Sequence, residues 1–297
     1  MSQDGSAFQL TPGLLTFSTM TATSGSRPYV ASELLLQKLE FELARLQAQV
    51  ALLWPKECEV VARLGLRDGQ DILELGSGPG FVTQRLLDEL PAARITGLEI
   101  DPLLIASAGQ RITGPGAERA TFVQGDVMNP PLSEGRFDLA FARYLFMHIP
   151  DPVGAARQIR RLLKPGGRLI VSELDAGFTG LRVPDLPEYD AWARHWEQAL
   201  RMRGSNPHMG RHIPRVLAEA GFTDIKLEPY LISSDEVGSL EPFYKYLFDA
   251  DVLGAPLVKL GLATAEEIEA FAAAVQRFLA AERPLVIILR MVAVGIA

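Results

Sequence analysis

The chain has 297 residues, the length of one large domain or of a core domain with additions. With 48% hydrophobic and 22% charged residues it has the material for a sizeable core, which excludes disorder of the whole chain. The formal charge of −7, from 36 acidic and 29 basic side chains, argues against non-specific nucleic-acid binding, because that is driven by neutralising phosphates. The single cysteine, Cys58, excludes an internal disulfide framework and a cysteine zinc cluster, and it fits a reducing, cytoplasmic setting. No apolar run reaches the roughly 18 residues of a membrane span, and residues 1–25 lack the basic and apolar regions of a secretory signal.

Residues 1–26 are rich in Ser, Thr, Gly and Gln without periodicity and read as a flexible N-terminal tail. From Ser32, a plausible N-cap, Leu35, Leu36, Leu39, Leu43, Leu46 and Val50 recur at helical spacing. Pro55 is expected to interrupt or restart this helix, with a second stretch running to about Leu64. Residues 27–66 are therefore taken as an N-terminal helical unit. From residue 67 strand and helix alternate. Strands are predicted at 71–75, 94–99, 121–124, 137–142 and 168–173, and helices at 81–89, 102–110 and 153–163. Strands joined by crossover helices imply a parallel sheet covered on both faces. After Glu173 the alternation breaks. Residues 176–215 are mixed and arginine-rich, a helix spans 213–220, a strand 224–231, and 232–283 are mostly helical. An apolar strand over 285–294 closes the chain.

The stretch Ile72-Leu73-Glu74-Leu75-Gly76-Ser77-Gly78-Pro79-Gly80 follows the first strand and opens the first crossover helix. Glycines there let the chain turn tightly and let a ligand approach the backbone, and parallel sheets bind ligands at the carboxyl ends of their strands. Glu99 ends the next strand, where a carboxylate can accept hydrogen bonds from ribose hydroxyls. The dinucleotide fingerprint G-x-G-x-x-G/A is not met, because Phe81 holds its sixth position. Glu74 would repel a pyrophosphate but suits a cationic amino-acid ligand. These features favour S-adenosylmethionine over NAD.

With Gly97-Leu98-Glu99, Gln124-Gly125-Asp126-Val127, the 137–151 segment and the Leu163-Lys164-Pro165-Gly166-Gly167 turn, the chain resembles class I S-adenosylmethionine-dependent methyltransferases of the small-molecule group, over roughly residues 30–175. The resemblance implies an α/β, Rossmann-like seven-stranded sheet with its last strand antiparallel, an N-terminal helical lid and helical insertions. Residues 67–175 would be the cofactor-binding core, and 176–297 substrate-side helices plus the final strands. It places Glu74 near the methionine ammonium, Gly76, Ser77, Gly78 and Gly80 beneath the cofactor, and Glu99 with Ile100 at the ribose. It places Gly125, Asp126 and Val127 at the adenine, Arg143 and Tyr144 near the methionine and sulfonium, and Tyr29 in a lid over the cofactor. S-adenosylhomocysteine would be the product.

Other constellations are weaker. Asn129-Pro130-Pro131-Leu132 resembles a motif of nucleic-acid amino methyltransferases, but it follows the third strand rather than the fourth and lacks the aromatic; it reads as a loop. Glu173 and Asp175 could contribute to a metal site, but Arg143 would repel Mg²⁺, so no metal is expected. His148, beyond the fourth strand, is the candidate general base, with a loop-orienting hydrogen bond as the bland alternative. His208 and His212 are four apart, with no third zinc ligand evident. Arg194, Arg201, Arg203, Arg211 and Arg215 read as an anion clamp or as a solvated helix face. Phe243, Tyr244, Tyr246, Leu247 and Phe248 form an aromatic cluster that suits a substrate wall, a lid core or a dimer contact. The expected activity is metal-independent methyl transfer to an O, N or C nucleophile of a small acceptor, anionic or partly apolar, mainly by alignment. No nucleic-acid partner or membrane span is expected, and a homodimer is compatible. The alternatives are a protein or RNA methyltransferase, a nicotinamide-dependent oxidoreductase on a related fold, and a catalytically silent cofactor-binding protein.

Overall fold

The computed structural model describes residues 36–237 and 254–297, with side chains from residue 39 onward. The tail, Tyr29, Ser32, Leu35 and the aromatic cluster at 243–248 lie outside the described residues.

The first described helix, α1 (Leu36–Leu64), contains Pro55 within its length, so the expected break does not occur. Pro55 is on the exposed side, where a lost backbone hydrogen bond can be made good by water. Val50, Leu53 and Trp54 before it and Val60, Val61 and Leu64 after it are buried, and this packing keeps the helix continuous through the proline. The core follows in the predicted order: β1 (Asp71–Leu75), α2 (Phe81–Glu89), β2 (Arg94–Glu99), α3 (Pro102–Arg111), β3 (Ala120–Gln124), β4 (Phe137–Arg143), α4 (Pro152–Leu162) and β5 (Leu163–Glu173). Helices α3 and α4 share an Asp-Pro start. The Asp101 and Asp151 side chains accept from Leu103 N (2.9 Å) and Gly154 N (2.8 Å), and each following proline takes a position that needs no donor.

Beyond β5 come β6 (Leu181–Val183), α5 (Pro187–Met202), α6 (Met209–Glu219), β7 (Thr223–Ser233) and β8 (Leu285–Ile296). Residues 176–215 thus resolve into a short strand, one helix and the start of another. The described parts of the 232–283 excursion are helical over Ser234–Val237, Ala255–Lys259 and Ala265–Leu279. The sheet runs β3-β2-β1-β4-β5-β8, with β7 on the far side of β8. Strands β1 to β5 pair in parallel, and β8 runs antiparallel to β5, β6 and β7. Seven strands make the expected sheet; the three-residue β6 adds an eighth by pairing with the first residues of β8.

Each face of the sheet has its own core. Leu73, Leu75, Ala140, Ala142, Leu169 and Val171 pack beneath α4 and α6. Ile72, Ile95, Leu139, Phe141 and Ile170 pack beneath α1 and α2. A third cluster joins α5 to the 265–279 helix, where the Trp192 and Phe271 rings stack at 5.4 Å. Helix α1 is fastened to α2 through Glu89, which accepts from Trp54 Nε1 (2.6 Å) and Cys58 Sγ (2.5 Å). Burial, with Glu89 adding to it, pushes the Cys58 thiol up to about 12, so it stays neutral.

Phe141 is 1% exposed and meets Trp54 edge-on at 6.2 Å. Phe141→Ala should lower stability by about 3–5 kcal/mol, read as an earlier urea midpoint by tryptophan fluorescence.

Candidate functional site

The carboxyl ends of β1, β2 and β4 meet at the glycine turn. Gly76, Gly78 and Gly80 all have positive φ (64°, 55° and 79°), a region that L side chains rarely adopt. The turn is tied to β2: Gly76 N and Ser77 N donate to Leu98 O at 2.8 and 3.2 Å. A Cβ on Gly78 would meet nothing within 4 Å, so the backbone faces open space at the middle of the turn. Gly97 is needed for a different reason. A Cβ there would run into Phe122 and Ser77, so its absence lets the turn settle on β2.

Glu99 is buried and fixed. One carboxyl oxygen accepts from Gly78 N (2.8 Å), and the other from Ile100 N (2.8 Å) and Asp101 N (3.0 Å). Burial raises its pKa, with these three amides opposing. Glu74 sits lower on the same face and accepts from Thr83 Oγ1 at 2.5 Å. Burial, reinforced by Glu99, pushes its carboxyl up to about 8, although Thr83 and Arg143 work against this. Asp126 is exposed, and its Oδ1 accepts from Met128 N at 2.9 Å. Gly125 packs against Pro131, so the Asn129-Pro130-Pro131-Leu132 stretch is a loop after β3 that supports the turn at 125–127.

Arg143 ends β4 on the α1 side. Its Nε donates to Glu57 Oε2 at 2.7 Å, and its guanidinium lies over the Tyr144 ring at 4.5 Å from the centroid. Tyr144 has φ 52°, a strained value for a side chain of this size, and such outliers concentrate where a site imposes them. The structure therefore gathers Glu74, Gly76, Ser77, Gly78, Gly80, Glu99, Ile100, Arg143 and Tyr144 around the ends of β1, β2 and β4. Gly125, Asp126 and Val127 lie just past β3.

His148 ends a short helical turn, Phe146–His148, after β4. Its Nδ1 is 2.9 Å from Ser205 Oγ, and burial, with Arg45 and Arg203, lowers its pKa to about 4. It is a neutral imidazole at pH 7. Beneath it, buried Glu173 accepts from Met147 N at 3.2 Å, and burial pushes this carboxyl up to about 8. The other candidates are engaged with each other. His208 bridges Glu197 Oε1 (2.9 Å) and Asp175 Oδ1 (3.3 Å), apart from any pairing with His212. Arg211 grips Asp175, Arg201 grips Glu197 and Arg215 grips Glu219. Three of the five arginines read as an anion clamp are thus occupied by carboxylates, two by a helical neighbour four residues away and Arg211 by Asp175 from beyond β5.

Sequence reasoning missed Glu57, Ser172, Tyr230 and Arg290. A signal existed for two. Glu57 falls on the apolar stripe of α1, four after Leu53 and three or four before Val60 and Val61, and Arg290 is the one charge inside the apolar final strand. A charge on a face that must be buried announces a partner.

Residues 73–171 match a family described as the methyltransferase domain. That match takes in the glycine turn, Glu99 and the end of β4, and leaves the segments before β1 and after β5 outside it. Among curated proteins, the ubiquinone/menaquinone biosynthesis C-methyltransferase UbiE of Paracoccus denitrificans is 35% identical, over 41% of this chain and 48% of its own. Trans-aconitate 2-methyltransferase of Shigella dysenteriae is 34% identical, over 55% of this chain and 60% of its own. The chain spans about half the length of these relatives. Haemonchus contortus phosphoethanolamine N-methyltransferase 2, solved with phosphomonomethylethanolamine and S-adenosylhomocysteine, shares the fold. Its TM-score is 0.51 at 18% identity, over 82% of this chain and 52% of that one.

A carboxyl held up by burial is protonated in the folded protein and ionised in the unfolded one across the interval between the two pKa values. The folded state binds more protons there, so stability is full below the ordinary carboxylate range and is lost as pH rises toward 8. Urea titrations from about pH 5 to pH 8 should show that decline. Glu173→Gln should make it shallower, by up to about 1.4 kcal/mol per pH unit.

Proposed function

We propose that the protein transfers the methyl group of S-adenosylmethionine to a small-molecule acceptor. The observation that carries the reading is Glu99, buried at the end of β2 and bonded to the open glycine turn through Gly78 N. The donor set fits the cofactor. Glu99 offers carboxylate oxygens for two vicinal ribose hydroxyls, and Glu74 offers a counter-charge to an ammonium. Asp126 and the Val127 amide offer an acceptor and a donor to an adenine edge. The relatives are named for small-molecule methylation, in ubiquinone and menaquinone biosynthesis and on trans-aconitate among others, which supports an acceptor of that class.

The bound cofactor would supply an electrophilic methyl on a sulfonium. What the chain contributes is alignment of the acceptor in line with the sulfur, and exclusion of water. An acceptor that took up this methyl would have a proton to release, which the chain has to receive. We assign the reception of that proton to His148, which follows β4 and has its Nδ1 turned to Ser205. With a pKa near 4 it acts as a hydrogen-bond acceptor that orients the nucleophile and passes the proton on.

Isothermal titration with S-adenosylmethionine, S-adenosylhomocysteine and NAD tests the reading. The adenosyl ligands should bind and NAD should not, and Glu99→Ala should weaken adenosyl binding by at least about tenfold. NAD binding alone would favour the oxidoreductase. Ionised Glu74 binds an ammonium better than protonated Glu74. S-adenosylhomocysteine affinity should therefore rise from about pH 6 to about pH 8, by up to about tenfold per unit, and this slope should vanish in Glu74→Gln. His148→Ala should lower kcat while leaving S-adenosylhomocysteine affinity unchanged.

A further inference from the structure

Four strands bring polar side chains to one place on the α1 side of the sheet. Arg143 and Tyr144 end β4, Ser172 lies on β5, Arg290 on β8 and Tyr230 on β7. Strand register sets Arg143 beside Ser172 and Tyr230 beside Arg290. Glu57 comes across from α1 and takes both Arg143 Nε and Ser172 Oγ. Arg290 Nε donates to Tyr144 Oη at 2.7 Å. Glu57, Tyr144, Arg290 and Arg143 all act electrostatically on the Tyr230 hydroxyl.

This cluster is unbalanced in two respects. It holds two guanidinium groups and one carboxylate, and Arg290 makes no ion pair among the described residues. It also holds two unspent donors: Arg143 Nη2 and Tyr230 Oη are buried with no hydrogen-bond partner among the described residues. Tyr230 is 6% exposed and the Arg143 side chain 9%. A surplus positive charge beside two unmatched buried donors is the donor set of an oxyanion.

We propose that this cluster binds the acid group, carboxylate or phosphate, of the methyl acceptor. The proposal rests on the methyltransferase reading and names its substrate class. The acceptor is favoured over the cofactor's own carboxylate by position. The glycine turn and Glu99 belong to β1 and β2, whereas Arg290 and Tyr230 belong to strands three and four places beyond β1. At about 4.8 Å per strand, their backbones stand about 14 and 19 Å away. The arginines of α5 and α6 that are tied to Glu197, Asp175 and Glu219 leave the acid to this cluster.

The test is calorimetric titration of protein saturated with S-adenosylhomocysteine, using benzoate, inorganic phosphate and neutral benzamide. One or both anions should bind and benzamide should not; which anion binds tells carboxylate from phosphate. Tyr230→Phe, which removes only a hydroxyl without a partner, should weaken anion binding by about tenfold. Arg290→Gln should abolish it, and both variants should keep their S-adenosylhomocysteine affinity and melting temperature. The proposal is overturned if neither anion binds the wild-type protein, or if both variants bind anions as the wild type does. It is also overturned if the variants lose S-adenosylhomocysteine, which would assign the cluster to the cofactor's carboxylate. Titration without S-adenosylhomocysteine separates this proposal from the reading beneath it. Anion binding there supports the oxyanion site even if the adenosyl ligand fails to bind, and its absence overturns it.

Discussion

The ion pair between Glu57 and Arg143 is the constraint on which the site depends. Both groups are removed from water, and a buried pair repays its desolvation only when the geometry is good and the remaining hydrogen bonds are made. Here Glu57 is fully buried and serves Arg143 with one oxygen and Ser172 with the other. That three-way contact ties the first helix to two adjacent strands at their carboxyl ends. It fixes the direction in which β4 leaves the sheet, and with it the strained Tyr144 and the turn carrying His148.

The site is a place where carboxyl groups are held away from water. Glu99 and Glu173 end β2 and β5, Glu74 is the next-to-last residue of β1, and burial raises the pKa of each. Backbone amides soften the cost at Glu99 and Glu173, while Glu74 relies on the Thr83 hydroxyl. Parallel strands make this arrangement economical. Their carboxyl ends lie together, so side chains from distant parts of the chain meet without long loops. Perturbed groups of this kind, gathered in one place, mark functional sites more often than structural ones.

The parallel core was legible because local and global signals agree there. The alternation of short apolar runs with Asp-Pro helix starts predicts β1 to β5 within a few residues, and the glycine turn after β1 stands at the carboxyl ends of the parallel strands. Pro55 was misleading, since its intrinsic preference is overruled by buried residues on both sides of it. The arginines of 194–215 were misleading for a different reason. A charge count along the chain does not say which acids fold back onto it, and Asp175 reaches Arg211 only because α6, after β6 and α5, returns to the end of β5. Likewise, Arg290 and Glu57 each carry a visible anomaly, but their convergence on Tyr144 and Arg143 depends on the strand order, which no local pattern encodes.

Strand β8 pairs with β5, β6 and β7, yet it is made after all of them. Until Leu285–Ile296 emerges from the ribosome, β5 and β7 each keep an open edge, and unpaired strand edges are templates for wrong association. The nascent chain therefore has to hold an incomplete sheet through the whole of the 234–284 excursion. A lesion in this one strand would leave β5, β6 and β7 without that partner at once and would strip Arg290 from the site in the same event. Closure of this side of the sheet and the placing of Arg290 thus wait on β8, although most of the predicted cofactor residues are made long before it.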